Sequence, residues 1–369
     1  MPQKKIKNKK VLLALSGGID SSVSLLILKN QGFEVSGVTF NLPFWAKTKK
    51  EKEKILKEKK KNLERIKKIC QKNNVKHYLI DLKREFEKTV VNFYIKSYQT
   101  GFTPNPCVYC NLNFKFYYLL KLAKKYKADF IATGHYAKVI YNSENKKYQL
   151  LKAKDRKKDQ SYYLCFLNQK ILKKTLFPLG DYLKQEVYEI AKKAGLPFIE
   201  DSYKESQNFC YLSLSKINDF LKYKFKNKKG LIIEKETSKV LGSHYGYYFF
   251  TIGQRKGLFL DQGPYYVIEI DPIKNIIYVS KNKNLLKVRE IFVSPFNIIS
   301  AKKIKKPFLA DVKIRSQTKP IKSQIIPFKN DLKIIALRNK FFAPSPGQVA
   351  CFYQKDICLG GGIIKELKI

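Results

Sequence analysis

Along the first 130 residues, short unbroken apolar runs alternate with longer stretches whose apolar positions recur at helical spacing. Val11–Leu15 is such a run, as expected for a strand buried on both faces, and Val23–Leu28 continues as a helix would. Val35–Phe40 repeats the strand pattern, so the chain opens strand, loop, helix, strand, the beginning of a parallel sheet. Trp45–Cys70 is rich in Lys with interspersed Glu. Leu56, Leu63, Ile66 and Cys70 recur there at helical spacing, which predicts a helix with a solvated basic face. Lys76–Asp81 predicts a third strand and Glu85–Tyr98 a helix with Phe86, Val90, Phe93 and Tyr94 on one face. A helix over Asn111–Lys125 and a fourth strand over Asp129–Thr133 follow. Ile140–Leu151 reads as a hairpin turning at Asn142–Lys146, and Ile171–Leu196 as one or two helices around Pro178-Leu179-Gly180. Beyond about residue 212 short strands with Gly and Pro turns take over, ending in Gly360-Gly361-Gly362. The pattern predicts an α/β protein in three domains: a parallel-sheet domain over 1–212, a small mostly-β central domain over 213–282 and a C-terminal β-barrel over 283–369.

Composition narrows the class. The chain has 369 residues, 44% of them hydrophobic, ample for more than one core. No apolar run reaches the roughly 18–20 residues of a membrane span, and the basic start carries no signal-peptide core, so a soluble cytoplasmic protein is expected. Seven cysteines, odd in number and unevenly spaced, do not form a secreted disulfide framework. The formal net charge of +44 suits a polyanion partner. The excess is mostly Lys, in a chain also rich in Asn, Ile, Tyr and Phe, which AT-rich coding alone would give. Charge by itself therefore leaves nucleic-acid binding open.

The chemistry concentrates in a few loops. Ala14–Ser22 reads Ala-Leu-Ser-Gly-Gly-Ile-Asp-Ser-Ser between the first strand and the first helix. A helix start offers unpaired N–H groups and the positive end of the dipole, and Gly17 and Gly18 admit an anion close to the backbone. Ser16, Ser21 and Ser22 add hydroxyls, and Asp20 beside a phosphate would hold a cation or orient water. The loop carries neither Gly-Lys-Ser/Thr nor GxGxxG, so it is not a Walker loop or a dinucleotide fingerprint. Thr103–Asn111 holds two prolines and then Cys107-x-x-Cys110, which serves equally a redox pair, half a metal site or a reactive thiol beside a helix start. His77, His135 and His244 show no zinc spacing with it. Gly134-His135 follows the fourth strand, at the strand end where ligands sit in open parallel sheets. Lys158-Asp159-Gln160 either reads RNA or caps a helix, and Cys210 alone suits a small buried hydrophobe as well as a nucleophile.

Ala14–Ser22 resembles the pyrophosphate loop of the ATP pyrophosphatases. Together with Thr103–Asn111, Ala132–Tyr136, Asp159–Tyr163, Ser206–Cys210, Gly253–Gly257 and Cys358–Ile364, it falls in the order and spacing of the bacterial tRNA-specific 2-thiouridylases, from Lys10 to Ile364. The resemblance implies an adenine nucleotide alpha-hydrolase-like N-terminal domain and an enzyme that uses ATP to replace O2 of wobble uridine 34 with sulfur. Carried over position by position, it implies Cys110 as nucleophile and Cys210 as persulfide carrier. It assigns ATP to Ala14, Leu15, Ser16, Gly17, Gly18, Ile19, Asp20, Ser21, Phe40 and Gly134, with Asp20 helping to hold Mg2+. Asn105, Pro106 and Cys107 would surround the flipped-out base. His135, Lys158, Asp159, Gln160, Arg315, Ser316 and Gln348 would touch tRNA. Partners implied are tRNA and a cysteine desulfurase or sulfur-relay protein, with the enzyme itself a monomer and no membrane involved. Positive surroundings that lower the thiol pKa values are expected around the cysteines.

Three departures limit the transfer. Many family members carry Asp where this chain has Cys107. An extra thiol there could resolve a disulfide, or join Cys110 and Cys210 as ligands of an iron–sulfur cluster. Asn41–Lys61 is basic where the family stretch is acidic, so no role carries over. The match around Arg315 is one residue short at Ser316. Two other readings compete: an ATP pyrophosphatase that makes an amide on a small molecule, in which the cysteines have no task, and a non-catalytic RNA-binding protein, in which Asp20 has none.

Overall fold

A computed structural model describes residues 8–196, 209–212, 216–300, 304 and 306–368. Two compact units emerge: Met1–Val90, Cys107–Ser215 and Asp356–Leu359 form the first, and Val91–Pro106, Lys216–Lys355 and Gly360–Ile369 the second.

In the first unit, β1 (Lys10–Ala14), β2 (Glu34–Asn41), β3 (Lys76–Asp81), β4 (Phe130–Ala132) and β7 (Thr175–Leu176) form one parallel sheet in the order β3-β2-β1-β4-β7. Val11, Leu12 and Leu13 are buried, which explains why β1 reads as a continuous apolar run rather than an alternation. The order reverses direction at β1, so the crevice at the carboxyl ends of β1 and β4 is the topological switch point where such sheets bind ligands. Between β4 and β7 a hairpin of β5 (Ala137–Asn142) and β6 (Lys147–Lys152) forms at the predicted place, and Ile357–Cys358 pairs with β6. β7 was expected to be helix; at two residues it is too short to leave a pattern.

The helices add detail that periodicity does not carry. α1 (Ile19–Asn30) turns Ile19, Val23, Leu25, Ile27 and Leu28 inward. α2 (Lys49–Lys72) is capped by Thr48, whose hydroxyl accepts from Glu51 N–H at 3.2 Å. It buries Ile55, Ile66, Ile69 and Cys70, while the expected Leu56 faces solvent. α3, residues 83–99, passes through a π turn at Glu87–Val91. α4, residues 106–125, is α-helical over Pro106–Cys110, π over Asn111–Lys115 and α again over Phe116–Lys125. Proline is tolerated in a first turn, where its missing N–H has no partner to lose. Cys107 and Cys110 therefore stand in the opening turn of a helix, not in the loop the two prolines suggest. α5 (Lys184–Lys193) completes the unit.

The second unit contains α6 (Ile217–Lys224) and a four-stranded sheet of β8 (Gly230–Glu234), β9 (Val240–His244), β10 (Tyr266–Asp271) and β11 (Ile276–Ser280), ordered β10-β11-β8-β9 over Ile232, Val267, Ile277 and Val279. The short β12 (Lys287–Val288) pairs with β17 (Phe341–Phe342). β13 (Glu290–Ile298), β16 (Asp331–Ala336), β15 (Ile321–Phe328), β14 (Phe308–Lys313), β18 (Val349–Gln354) and β19 (Ile357–Lys368) follow one another round a six-stranded barrel. It closes because β13 pairs with both β16 and β19. Closure removes the exposed edges of an open sheet. At the seam Ile298 faces Gly360, whose φ is +144° and whose added Cβ would lie 2.0 Å from Asn297 O; only glycine fits.

Among the described residues no helix is long and apolar enough to cross a membrane.

Candidate active site

The loop after β1 sits at the switch point. Gly17 has φ +82°, and a Cβ there would come within 3.0 Å of Asn62 Cβ on α2. Gly134, after β4, lies so close to α1 that its Cβ would approach Ser21 N at 3.1 Å. Two strand ends thus converge on the start of α1. Gly18 caps that start without a side-chain hydrogen bond, so the helix brings its dipole and first N–H groups to the loop. Ser21 and Ser22 are buried and both hydroxyls donate to Gly18 O at 3.0 Å. Ser16 N–H donates to Ser21 Oγ at 3.2 Å. These two hydroxyls stiffen the loop, while Ser16 is exposed. Phe40, at the end of β2, sets its ring edge-on to Phe114 at 6.1 Å.

Asp20 is not a lone acid. Lys184, the first residue of α5, places its ammonium 2.7 Å from Asp20 Oδ1, and Tyr136 OH donates to the same oxygen at 2.8 Å. Lys184 is 8% exposed and lies 164 positions along the chain from Asp20, and no motif in the sequence marks it.

The thiols occupy the same unit. Burial pushes Cys110 up to about 12, against the pull of the Lys115 ammonium; the charges of Cys210 and Cys107 raise it further. Burial likewise lifts Cys210 to about 11, and Cys107 and Lys115 act on it in opposite directions. Cys107 is raised by burial and lowered less by Lys115. Cys107 and Cys210 keep exposed surface, so these thiols are crowded by protein atoms but open to solvent on one side. The expected lowering is reversed: desolvation outweighs the helix start and the lysine. Lys115 also approaches His135 Nε2 at 3.4 Å, and His135 Nδ1 lies 2.6 Å from Thr133 Oγ1. An ammonium only donates, so Nε2 accepts and Nδ1 carries the proton. Burial and then Lys115 hold the imidazole well below its usual pKa, so His135 is neutral. Phe116 and Phe177 flank its ring at 6.0 Å.

The remaining positions divide between the units. Gln160 Oε1 accepts from Tyr136 N–H at 3.1 Å. Asp159 accepts from Ala153 N–H at 3.0 Å and from the Ser161 hydroxyl at 2.8 Å. Gln160 thus braces the backbone that carries Tyr136 and Asp159 that of Ala153, and Lys158 N–H donates to Asp155 O at 3.2 Å beside them. Ser206, Gln207 and Asn208 lie outside the described residues. In the second unit, Arg315, Gln348, Thr103, Thr251 and residues 252–254 line a cavity of about 340 Å³. Arg315 donates to Ala343 O at 2.8 Å and Gln348 to Thr103 O at 2.9 Å, and Ser316 O accepts from Lys313. This ties Thr103, two residues before Asn105 and three before Pro106, to the barrel.

Among the described residues no three His, Cys, Asp or Glu side chains are gathered so as to hold a metal ion.

A doubly wound α/β unit with a glycine-bearing loop at its switch point, followed by a small β sheet and a closed barrel, defines a class of multidomain α/β proteins. Comparison with known proteins makes it specific. Protein-family models described as the tRNA methyl transferase HUP domain, the tRNA methyl transferase PRC-barrel domain and the aminomethyltransferase beta-barrel domain match residues 9–214, 218–281 and 288–364. A tRNA-specific 2-thiouridylase MnmA 2 of Clostridium botulinum is 37% identical over 97% of this chain and 98% of its own. The tRNA-specific 2-thiouridylase MnmA of Clostridium perfringens is 35% identical over 97% and 99%. The chain belongs to the tRNA-specific 2-thiouridylase family. A solved structure described as a predicted subunit of tRNA methyltransferase from Methanocaldococcus jannaschii overlaps 50% of this chain and 74% of its own at 20% identity and TM-score 0.30, too slight a likeness to build on.

Proposed function

We propose that this chain is an ATP-dependent tRNA-uridine 2-sulfurtransferase acting on wobble uridine 34, as a monomer in the cytoplasm. The observation that carries the reading is the thiol pair. Cys110 and Cys210, about 100 residues apart in sequence, lie within electrostatic reach of each other in the unit that holds the anion loop. Residues 14–21, Phe40 and Gly134 take ATP. One carboxylate beside phosphates is an ordinary way to hold Mg2+, so Asp20 fits that ion, which would neutralise phosphate charge. Asn105, Pro106 and Cys107 surround the base. His135, Lys158, Arg315, Ser316 and Gln348 face tRNA, with Asp159 and Gln160 setting the shape of their loop.

The uracil O2 is a poor leaving group. Its attack on the α-phosphorus breaks the bond to pyrophosphate and releases the N3 proton, giving an O2-adenylated base from which AMP departs readily. Fixed N–H donors of the loop match the charge that builds on the phosphates. A cysteine desulfurase or relay protein supplies Cys210 with its outer sulfur. The Cys110 thiol gives up its proton to solvent as its sulfur attacks the inner sulfur, forming a Cys110–Cys210 disulfide and releasing hydrosulfide, which attacks C2 and expels AMP. In the direct variant the outer sulfur attacks C2 first and expels AMP, and Cys110 then attacks Cys210 Sγ, releasing the 2-thiouridine sulfur and leaving the same disulfide. An external thiol restores both cysteines.

A methyl transferase is a second reading, since the matching family is described by that activity, but thiols within electrostatic reach of each other in the unit that holds the first loop suit sulfur transfer better. The relay is tested by loading wild-type protein with persulfide, adding tRNA and Mg-ATP for one turnover, blocking free thiols and mapping peptides without reductant. A Cys110–Cys210 disulfide that survives Cys107→Ser is expected; a Cys107–Cys210 disulfide would move the nucleophile's role to Cys107.

A further inference from the structure

Lys184 has no assigned task, yet its surroundings are specific. Its ammonium is buried beside Asp20, 5.8 Å from the ring of Tyr136 and 5.0 Å from that of Tyr188. Its own N–H donates to Asp155 Oδ2 at 2.9 Å, which fixes the start of α5. A buried lysine is costly unless its charge is matched, and the match here is the one acidic side chain of the anion loop. At that spot the lysine's partner is the second residue of α1, beside the helix start where phosphates bind.

We propose that Lys184 is a phosphate-binding residue for the pyrophosphate end of ATP. In the free protein Asp20 holds its ammonium in place. With nucleotide in the loop, the ammonium passes from the carboxylate to a β- or γ-phosphate oxygen and stays with the pyrophosphate as it leaves. Tyr136 OH remains on Asp20, so the carboxylate keeps a donor during the exchange. The inference rests on reading the first loop as the ATP site.

Binding of Mg-ATP and of AMP to full-length protein, by calorimetry, separates the cases. Lys184→Met is expected to weaken Mg-ATP about tenfold or more while AMP stays within about twofold, since AMP lacks the contacted phosphates. Lys184→Arg, which keeps the charge, should retain most of the ATP affinity. Should Lys184→Met fail to fold, Lys184→Gln, which can still donate to Asp20, is expected to show the same split between ATP and AMP. Equal losses for ATP and AMP, or no loss for either, would overturn the proposal. Wild-type protein that binds no Mg-ATP would instead overturn the nucleotide reading beneath it.

Discussion

Cys110 and Cys210 are protonated at neutral pH, because crowding by protein atoms outweighs the nearby lysine. A raised thiol pKa means that thiolate is scarce below it and grows as pH rises. Alkylation of both residues by iodoacetamide should therefore climb about tenfold per pH unit past the value of about 8.5 typical of a free cysteine. A plateau near neutral pH would show that desolvation does not govern them. The sequence makes both cysteines visible through Cys107-x-x-Cys110 and the polar stretch before Cys210. It does not show desolvation, because the atoms that crowd Cys110 come from segments distant in the chain. His135 is similar: its place after β4 is legible, its neutrality is not. Lys184 was illegible altogether, since nothing near it in sequence marks its pairing with Asp20 across 164 positions.

Elements with long, strong periodicity are legible and their irregularities are not. β1, α1 and β2 lie where the apolar pattern puts them because each buries a continuous face. The π turns at Glu87–Val91 and Asn111–Lys115 leave no mark in composition. The second matters to chemistry: a wider turn carries Lys115 round toward the face of Cys110, where regular helix would leave position i+5 well aside. The glycine run at 360–362 is legible as a turn signal, but its task is to let β13 and β19 close the barrel. Gly360→Val should destabilise the protein by about 2–4 kcal/mol in urea unfolding, combining a forbidden φ with a backbone clash. A change within about 0.5 kcal/mol, the range of an ordinary surface substitution, would mean the seam is not as tight as described.

For the whole molecule, the charge of +44 and the family relation bear on different questions. The charge fits a polyanion and equally a Lys-rich coding bias, so it selects no substrate. Selection comes from the family relation, which extends over 97% of the chain at 37% identity. The α/β, β and barrel architecture was legible because each part has its own rhythm of apolar residues; the contact of residues 91–106 with the second unit was not. The most direct test is mass spectrometry of nucleosides from tRNA incubated with Mg-ATP, a desulfurase donor and wild-type, Cys110→Ser or Cys210→Ser protein. The account predicts 2-thiouridine at position 34 with wild type and none with either variant. Unmodified or methylated uridine from the wild-type reaction, with ATP converted to AMP all the same, would contradict it.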